Sequence, residues 1–187
     1  MPDVILPVLD EADAIPSVLG GLPLGFNPII VDNASTDRSA EVARRCGAQV
    51  VFEPRRGFGA ACWTGLLAAT DDIVCFMDCD GSFSGADLTA VAAPVVAGDA
   101  DLVMGARCAS KGSWPAHARV ANRFLAWELR RRTRINLTDL GPMRAMRRLD
   151  LQGLPSGMFG LRSVRMRFLH HPLRPVQFDD LSFMPGE

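Results

Sequence analysis

Ile73-Val74-Cys75-Phe76-Met77 runs without a charge straight into Asp78-Cys79-Asp80. A short, wholly apolar run of this length reads as a strand buried on both faces, the kind found in parallel sheets. Two carboxylates separated by one residue at the end of such a strand can reach a single divalent cation. Mg²⁺ and Mn²⁺ prefer oxygen ligands and complete their shells with phosphate and water.

The same unit, an apolar strand followed by polar or glycine-rich residues, recurs upstream. Val4–Val8 is followed by Asp10 and Glu11, and Pro28–Val31 by Asp32, Asn33, Ser35, Thr36 and Asp37. Gln49–Phe52 is followed by Arg55, Arg56, Gly57 and Gly59. Helices are predicted between these strands, over about Glu11–Leu19, Ser39–Cys46, Gly59–Thr70 and Ala86–Ala97, and a further strand at Leu102–Met104. Ser35-Thr36-Asp37 offers an N-cap for the second helix. Strands alternating with helices imply a mostly parallel sheet covered on both faces. In such sheets ligands bind beyond the carboxyl ends of the strands, just after Val8, Val31, Phe52 and Met77.

Charge divides the chain. The 187 residues carry a formal net charge of −1, yet residues 1–105 hold 5 Arg and no Lys against 15 acids, whereas residues 106–187 hold 14 Arg and 1 Lys against 6 acids. Such asymmetry points the basic half towards anionic partners. The high apolar content, 48 % of residues, excludes a disordered chain. No apolar run is long enough to span a bilayer. The first residues lack the regions of a signal peptide, so cytoplasmic residence is expected. Five cysteines (Cys46, Cys62, Cys75, Cys79, Cys108) without paired spacing read as reduced thiols. Pro115–Arg132 is predicted to be an amphipathic helix, Asp139–Pro142 a turn, and no clear period follows Leu151.

Pro7-Val-Leu-Asp-Glu11, Val31-Asp-Asn-Ala-Ser-Thr-Asp37, Arg56-Gly-Phe-Gly-Ala60, Asp78-Cys-Asp80, Gly105-Ala-Arg107 and Asp139-Leu-Gly-Pro-Met-Arg144 occur in an order that resembles family 2 glycosyltransferases. The resemblance covers residues 4–148 and looks closest to the branch of dolichyl- and polyprenyl-phosphate mannose and glucose synthases. It implies a GT-A fold, a three-layer α/β/α sandwich, and metal-dependent transfer of a sugar from a UDP- or GDP-sugar. By position, Pro7, Leu9 and Glu11 would line the nucleoside pocket and Asp32 would contact the base or ribose. Gly57 and Gly59 would let the chain pass close to the nucleotide. Asp78 and Asp80 would form the metal pair, Asp80 the direct ligand of Mg²⁺ or Mn²⁺. Arg107 would stand near the diphosphate, with Asp139 and Arg144 in a turn on the acceptor side.

The chain departs from that pattern twice. Ser82 stands where relatives often carry a Gln ligand, and residues 151–187 do not follow the family's continuation. The expected division is therefore 1–150 for the GT-A domain, with donor binding in 1–105 and the acceptor side in 106–150, and an atypical segment over 151–187.

The basic half acquires a chemical role in this reading. A hydroxyl acceptor must lose a proton as it attacks, whereas a phosphate monoester is already anionic and needs cations to bind it. Arg107, Arg119, Arg123, Arg144 and the run Arg130, Arg131, Arg132, Arg134 are placed to supply them. The same cations could hold anionic lipid head groups at the inner face of a membrane. The expected partners are a nucleotide sugar, a polyprenyl phosphate or other small acceptor, and a membrane surface, with no nucleic acid.

Two other readings stay open at this point. Phe76-Met-Asp-Cys-Asp-Gly-Ser82 also resembles the nucleophile loop of haloacid dehalogenase-type phosphatases, although there the loop follows the first strand. A non-catalytic nucleotide-sugar-binding domain fits the N-terminal residues as well. Gly57-Phe-Gly-Ala-Ala-Cys62 suggests a dinucleotide loop only weakly, because Cys62 replaces the last glycine.

Overall fold

The computed structural model describes residues 1–107, 143–152 and 166–173. The predicted helix at 115–132, the turn at 139–142, Cys108 and the arginine run at 130–134 lie outside the described residues. The described elements are β1 (Asp3–Val8), α1 (Ile15–Gly20), β2 (Asn27–Asp32), α2 (Ser39–Arg45), β3 (Gln49–Phe52), α3 (Phe58–Ala68), β4 (Ile73–Phe76), α4 (Leu88–Val96), β5 (Leu102–Arg107), β6 (Arg144–Arg147), α5 (Arg148–Gln152) and β7 (Met166–Leu173).

The apolar runs do what their composition dictates. β1 pairs in parallel with β2 on one side and β4 on the other, and Val4, Ile5 and Leu6 are all fully buried. Alternation along β1 sends its side chains to two separate cores. Val4, Leu6 and Val8 pack with Ile15, Ala43, Leu88 and Val91 from the helices α1, α2 and α4. Ile5 packs with Ile29, Val31 and Val74, under Ala61 and Leu66 of α3. The result is the expected three-layer α/β/α arrangement. Among the described residues, no helix is long and apolar enough to cross a membrane.

Among the described residues the sheet has seven strands in the order β3-β2-β1-β4-β6-β5-β7. It is mostly parallel, as expected. β6 is the exception, antiparallel to both β4 and β5. The sequence predicts no strand at Arg144–Arg147, because arginines bracket only two apolar residues. In the sheet Ala145 and Met146 are buried between neighbours while both arginines stay half-exposed, so two apolar residues suffice.

β7 is a second correction, because the sequence predicts nothing regular past Leu151. Met166–Leu173 pairs in parallel with β5 at the sheet edge, with a register shift between Gly105 and Arg107. Pro172, which argues against a central strand, is tolerated because β7 is an edge strand among the described residues.

Smaller differences concern the helices. α1 begins at Ile15 rather than near Glu11, because Ala14 N and Ile15 N both donate to Glu11 O (3.1 and 3.2 Å) in a turn and Pro16 sits in the first helical turn. Of the predicted N-cap at Ser35–Asp37, Asp37 Oδ1 accepts from the N–H of Ser39 (2.8 Å), the first residue of α2. Arg38 occupies the N-cap of α2 and makes no side-chain cap bond.

The buried Asp3 carboxylate is fully compensated. It accepts from Asn27 Nδ2 (2.8 Å), Thr70 N (2.7 Å) and Asp71 N (2.9 Å), joining β1, β2 and the turn that leads into β4. α3 approaches the sheet closely through Gly65. A Cβ there would lie 2.4 Å from Ile5 Cγ2 and 2.9 Å from Val31 Cγ2. Gly65→Ala should therefore destabilise the fold by overpacking, by about 1–3 kcal/mol in urea denaturation. An unchanged midpoint would show that α3 can lift off the sheet at no cost.

Candidate functional site

The connections that leave β1 and β4 run in opposite directions along the sheet, one towards β2 and the other, through α4, towards β5. Such a divergence opens a crevice beyond the carboxyl ends of the two strands. Here it is a cleft of about 360 Å³. Pro7, Leu9 and Glu11 line it from the β1 end, Asn33 from β2, Gly57 and Phe58 from β3, and Asp78, Cys79 and Asp80 from β4. Ligand sites of small molecules have this concave, mixed character.

Of the residues singled out from the sequence, Pro7, Leu9, Glu11, Gly57, Asp78 and Asp80 meet in this one cleft. Asp32 and Gly59 are not among its lining. Asp32 is buried and its Oδ1 accepts from Ser35 N (3.0 Å), capping the turn that follows β2. Gly59 lies in the first turn of α3. Arg107 ends β5. Arg144 opens β6, opposite Phe76 of β4 and Met104 of β5. Asp139, Arg119 and Arg123 lie outside the described residues. Asn33, Phe58 and Cys79 also line the cleft and were not singled out. An apolar ring and a thiol carry no chemical signal in a sequence, and the Asn was read as part of an acidic turn.

Electrostatics separate the acids by function. Glu11 is held above the ordinary carboxylate range, first by burial and then by the charges of Asp80, Asp37 and Asp10. Asp80 Oδ1 accepts from Ser82 N (2.9 Å). The backbone N–H of Ser82 thus orients Asp80. The thiol of Cys79 is pushed up to about 12 by burial and by Glu11, Asp80 and Asp78. Cys62 is pushed up to about 11, mainly by burial, with Arg144 opposing and Asp78 reinforcing the shift. Both thiols stay protonated at neutral pH, which removes them as nucleophiles.

The loops around the cleft are tied to one another by side chains. Asp10, at φ 60°, donates its N–H to Ser35 Oγ (3.1 Å). Its Oδ1 accepts from Thr36 N (2.6 Å), Thr36 Oγ1 (3.1 Å) and Asp37 N (3.3 Å). Glu11 N donates to Ser39 Oγ (2.9 Å) and Ala12 N to Asp37 Oδ2 (3.0 Å). Asp and Asn tolerate positive φ better than other side chains, so Asp10 can make the turn and hold it. Under β3, the buried Glu53 accepts from Arg55 N (2.8 Å), Arg55 Nε (3.1 Å) and the Thr64 hydroxyl.

A model of the glycosyl transferase family 2 matches residues 3–162. A glycosyltransferase of Mycobacterium tuberculosis is 47 % identical over 152 residues, 81 % of this chain and 69 % of its own length. Glucosyl-3-phosphoglycerate synthase of the same organism, crystallised with Mn²⁺, UDP-glucose and phosphoglyceric acid, superimposes with a TM-score of 0.70 at 25 % identity, over 97 % of this chain and 74 % of that one. With Mg²⁺ and UDP it gives a TM-score of 0.66 at 28 % identity, over 83 % of this chain, which then spans 59 % of the synthase. A dolichyl-phosphate hexose transferase of Haloferax volcanii is 31 % identical over 83 residues, 43 % of this chain and 36 % of its own.

Glu53 makes a prediction independent of any ligand. Arg55, Thr64 and the Arg55 N–H hold its carboxyl down to about 2, from an ordinary value of 4.5. A depressed acid stabilises the fold above its unfolded value, and that contribution is lost as pH falls through the folded one. Urea denaturation from pH 7 to pH 2 should show the parent weakening between about 4.5 and 2. Glu53→Gln should be the less stable at pH 7, and the gap to the parent should close across that window. A gap independent of pH would refute the ionic role.

Proposed function

We propose, for a chain that belongs to glycosyl transferase family 2, that the cleft between β1 and β4 takes a nucleoside-diphosphate hexose and passes its hexose to a phosphate-bearing acceptor. The observation that carries this reading is the meeting of Asp78 and Asp80 with Pro7, Leu9, Glu11 and Gly57 in one crevice. A phosphatase loop of the haloacid dehalogenase type would not call for the three strand ends that join it, and the family match sets that reading aside.

The donor is a UDP- or GDP-sugar, with UDP-glucose first because the similar synthase binds it with Mn²⁺. Pro7 and Leu9 supply apolar surface to the nucleoside, and Phe58, 55 % exposed, stands at the cleft as a further flat surface for a base. Asp32 is kept as a contact of base or ribose, and Gly57 and Gly59 as the close passage of the chain. Asp80, with Asp78, holds Mg²⁺ or Mn²⁺. Their carboxylates fit a hard cation, and among the described residues no cluster of three or more His, Cys, Asp or Glu offers a complete cage. The remaining ligands would come from the diphosphate and water. When bound, the cation neutralises charge on the departing diphosphate. Arg107 is kept as a contact of the diphosphate.

The acceptor is a polyprenyl phosphate or a small phosphorylated molecule. The relatives named above include a dolichyl-phosphate hexose transferase and a synthase crystallised with phosphoglyceric acid, both named for phosphate-bearing molecules. A polyprenyl phosphate attacks through an already anionic oxygen, and for either acceptor the phosphate is the group that Arg144, Arg119 and Arg123 bind and orient, with Asp139 on the same acceptor side of the sequence. Residues 1–105 form the donor side and 106–150 the acceptor side. The basic half also suits contact with an anionic membrane surface on the cytoplasmic side.

A donor screen tests this directly. UDP-glucose with Mn²⁺ should raise the melting temperature, more so as its concentration exceeds the dissociation constant. Asp80→Ala should lose the metal-dependent part and lower transfer by roughly 10²-fold or more, the scale of removing one group that stabilises developing charge. Full transfer with unchanged metal dependence would exclude the role given to Asp80. Donor binding without transfer to any phosphorylated acceptor would favour a binding module instead. Replacing Arg119 and Arg123 by Ala together should raise KM for the acceptor and leave that for the donor unmoved.

A further inference from the structure

Asn33 is 4 % exposed and sits where three strand ends converge. Its backbone N–H donates to Val8 O (2.8 Å) at the end of β1. Its side-chain amide donates through Nδ2 to Glu53 O (3.0 Å) and to Arg55 O (2.7 Å), both beyond β3. Its Oδ1 accepts from Gly57 N (2.7 Å). Two carbonyls and one N–H surround the amide, so only one of its two orientations satisfies all three bonds. Both N–H donors are thereby spent on the chain.

The segment it grips is the one that could not hold itself. Gly57 has φ 138°, a conformation that disfavours any side chain, and residues 53–57 cross from β3 to α3 without regular secondary structure. Gly57 and Phe58 line the cleft at the end of this crossing. Because its N–H is bound to Asn33, Gly57 offers the cleft a bare Cα rather than an amide donor. Close approach, and not a phosphate cradle, is what this glycine supplies.

We propose that Asn33 is the positioning residue of the donor cleft, fixing the Gly57–Phe58 wall at the distance a nucleoside requires. The proposal rests on the donor reading of the cleft and adds how its β3 side is held. Asn33 acts through the loop, since its donors have none left for a ligand.

Three variants test it. Asn33→Ala removes all the side-chain bonds. Asn33→Asp keeps the shape but turns acceptor oxygens towards two carbonyls. Val91→Ala trims a fully buried side chain of α4 that does not line the cleft, and serves as the stability control. Both Asn33 variants should weaken UDP binding roughly tenfold, equivalent to ~1.4 kcal/mol. They should raise the donor KM by a like factor and hold kcat within about threefold of the parent. Val91→Ala should lower the melting temperature and leave UDP affinity unchanged.

Hydrogen exchange of the ligand-free proteins supplies an arm that needs no nucleotide. The amides of residues 55–60 should exchange faster in both Asn33 variants, with β1 and β2 still protected. Parent-like exchange there, parent-like UDP affinity in Asn33→Asp, or an equal loss of affinity in Val91→Ala would each overturn the proposal. A parent protein that binds no UDP would instead refute the donor reading, while the exchange arm still decides the tie.

Discussion

The structure depends on the burial of β1. A strand with apolar cores on both faces and partners on both sides has no route to solvent except its ends. Its polar continuation, Leu9-Asp10-Glu11, must therefore emerge at the carboxyl edge, and the same holds for β4 and Asp78-Cys79-Asp80. With the chain leaving β1 in one direction and β4 in the other, the two polar ends stand apart and face a shared gap. The cleft is thus a consequence of topology before any particular side chain is considered.

What makes the gap a defined site is a second layer of constraint. Asp10 and Asp37 tie the first loop to the second, and Asn33 ties the second to the third. Each tie matches an oxygen or amide to backbone groups that no helix or strand would satisfy. The acids that look alike in the sequence are divided by this work. Asp3, Asp10 and Asp37 hold the chain, and Glu11, Asp78 and Asp80 line the cleft, where Asp80 also accepts from Ser82 N. Preorganisation of this kind lowers the ordering cost that a ligand would otherwise meet.

The parts legible in advance share one property: their signal is local. Ile29, Ile30 and Val31 of β2 are buried wherever that strand goes, and Ile73-Val-Cys-Phe announces β4 by itself. Glu11, Gly57, Asp78 and Asp80 were legible because they stand a few residues past such runs, whereas Pro7 and Leu9 came from the family resemblance. β6 was not legible, since Arg144-Ala-Met-Arg147 becomes a strand only between two neighbours that bury its middle. β7 was hidden by Pro172, which an edge position excuses. Asn33 was hidden for a different reason: its partners lie 20 or more positions away.

The uneven charge, acidic before residue 106 and basic after, acquires a direction from the fold. Arg144, from the basic half, pairs opposite Phe76 of β4, two residues before Asp78. By itself the sequence determined that β1, β2 and β4 are buried strands and which polar residues stand at their ends, because periodicity and hydrophobicity act over a few residues. Only the tertiary structure decided which of those ends face each other, which acids are spent on the backbone, and which side chain holds the glycine loop. Those are matters of strand order and of hydrogen bonds between distant positions, and no local pattern encodes them.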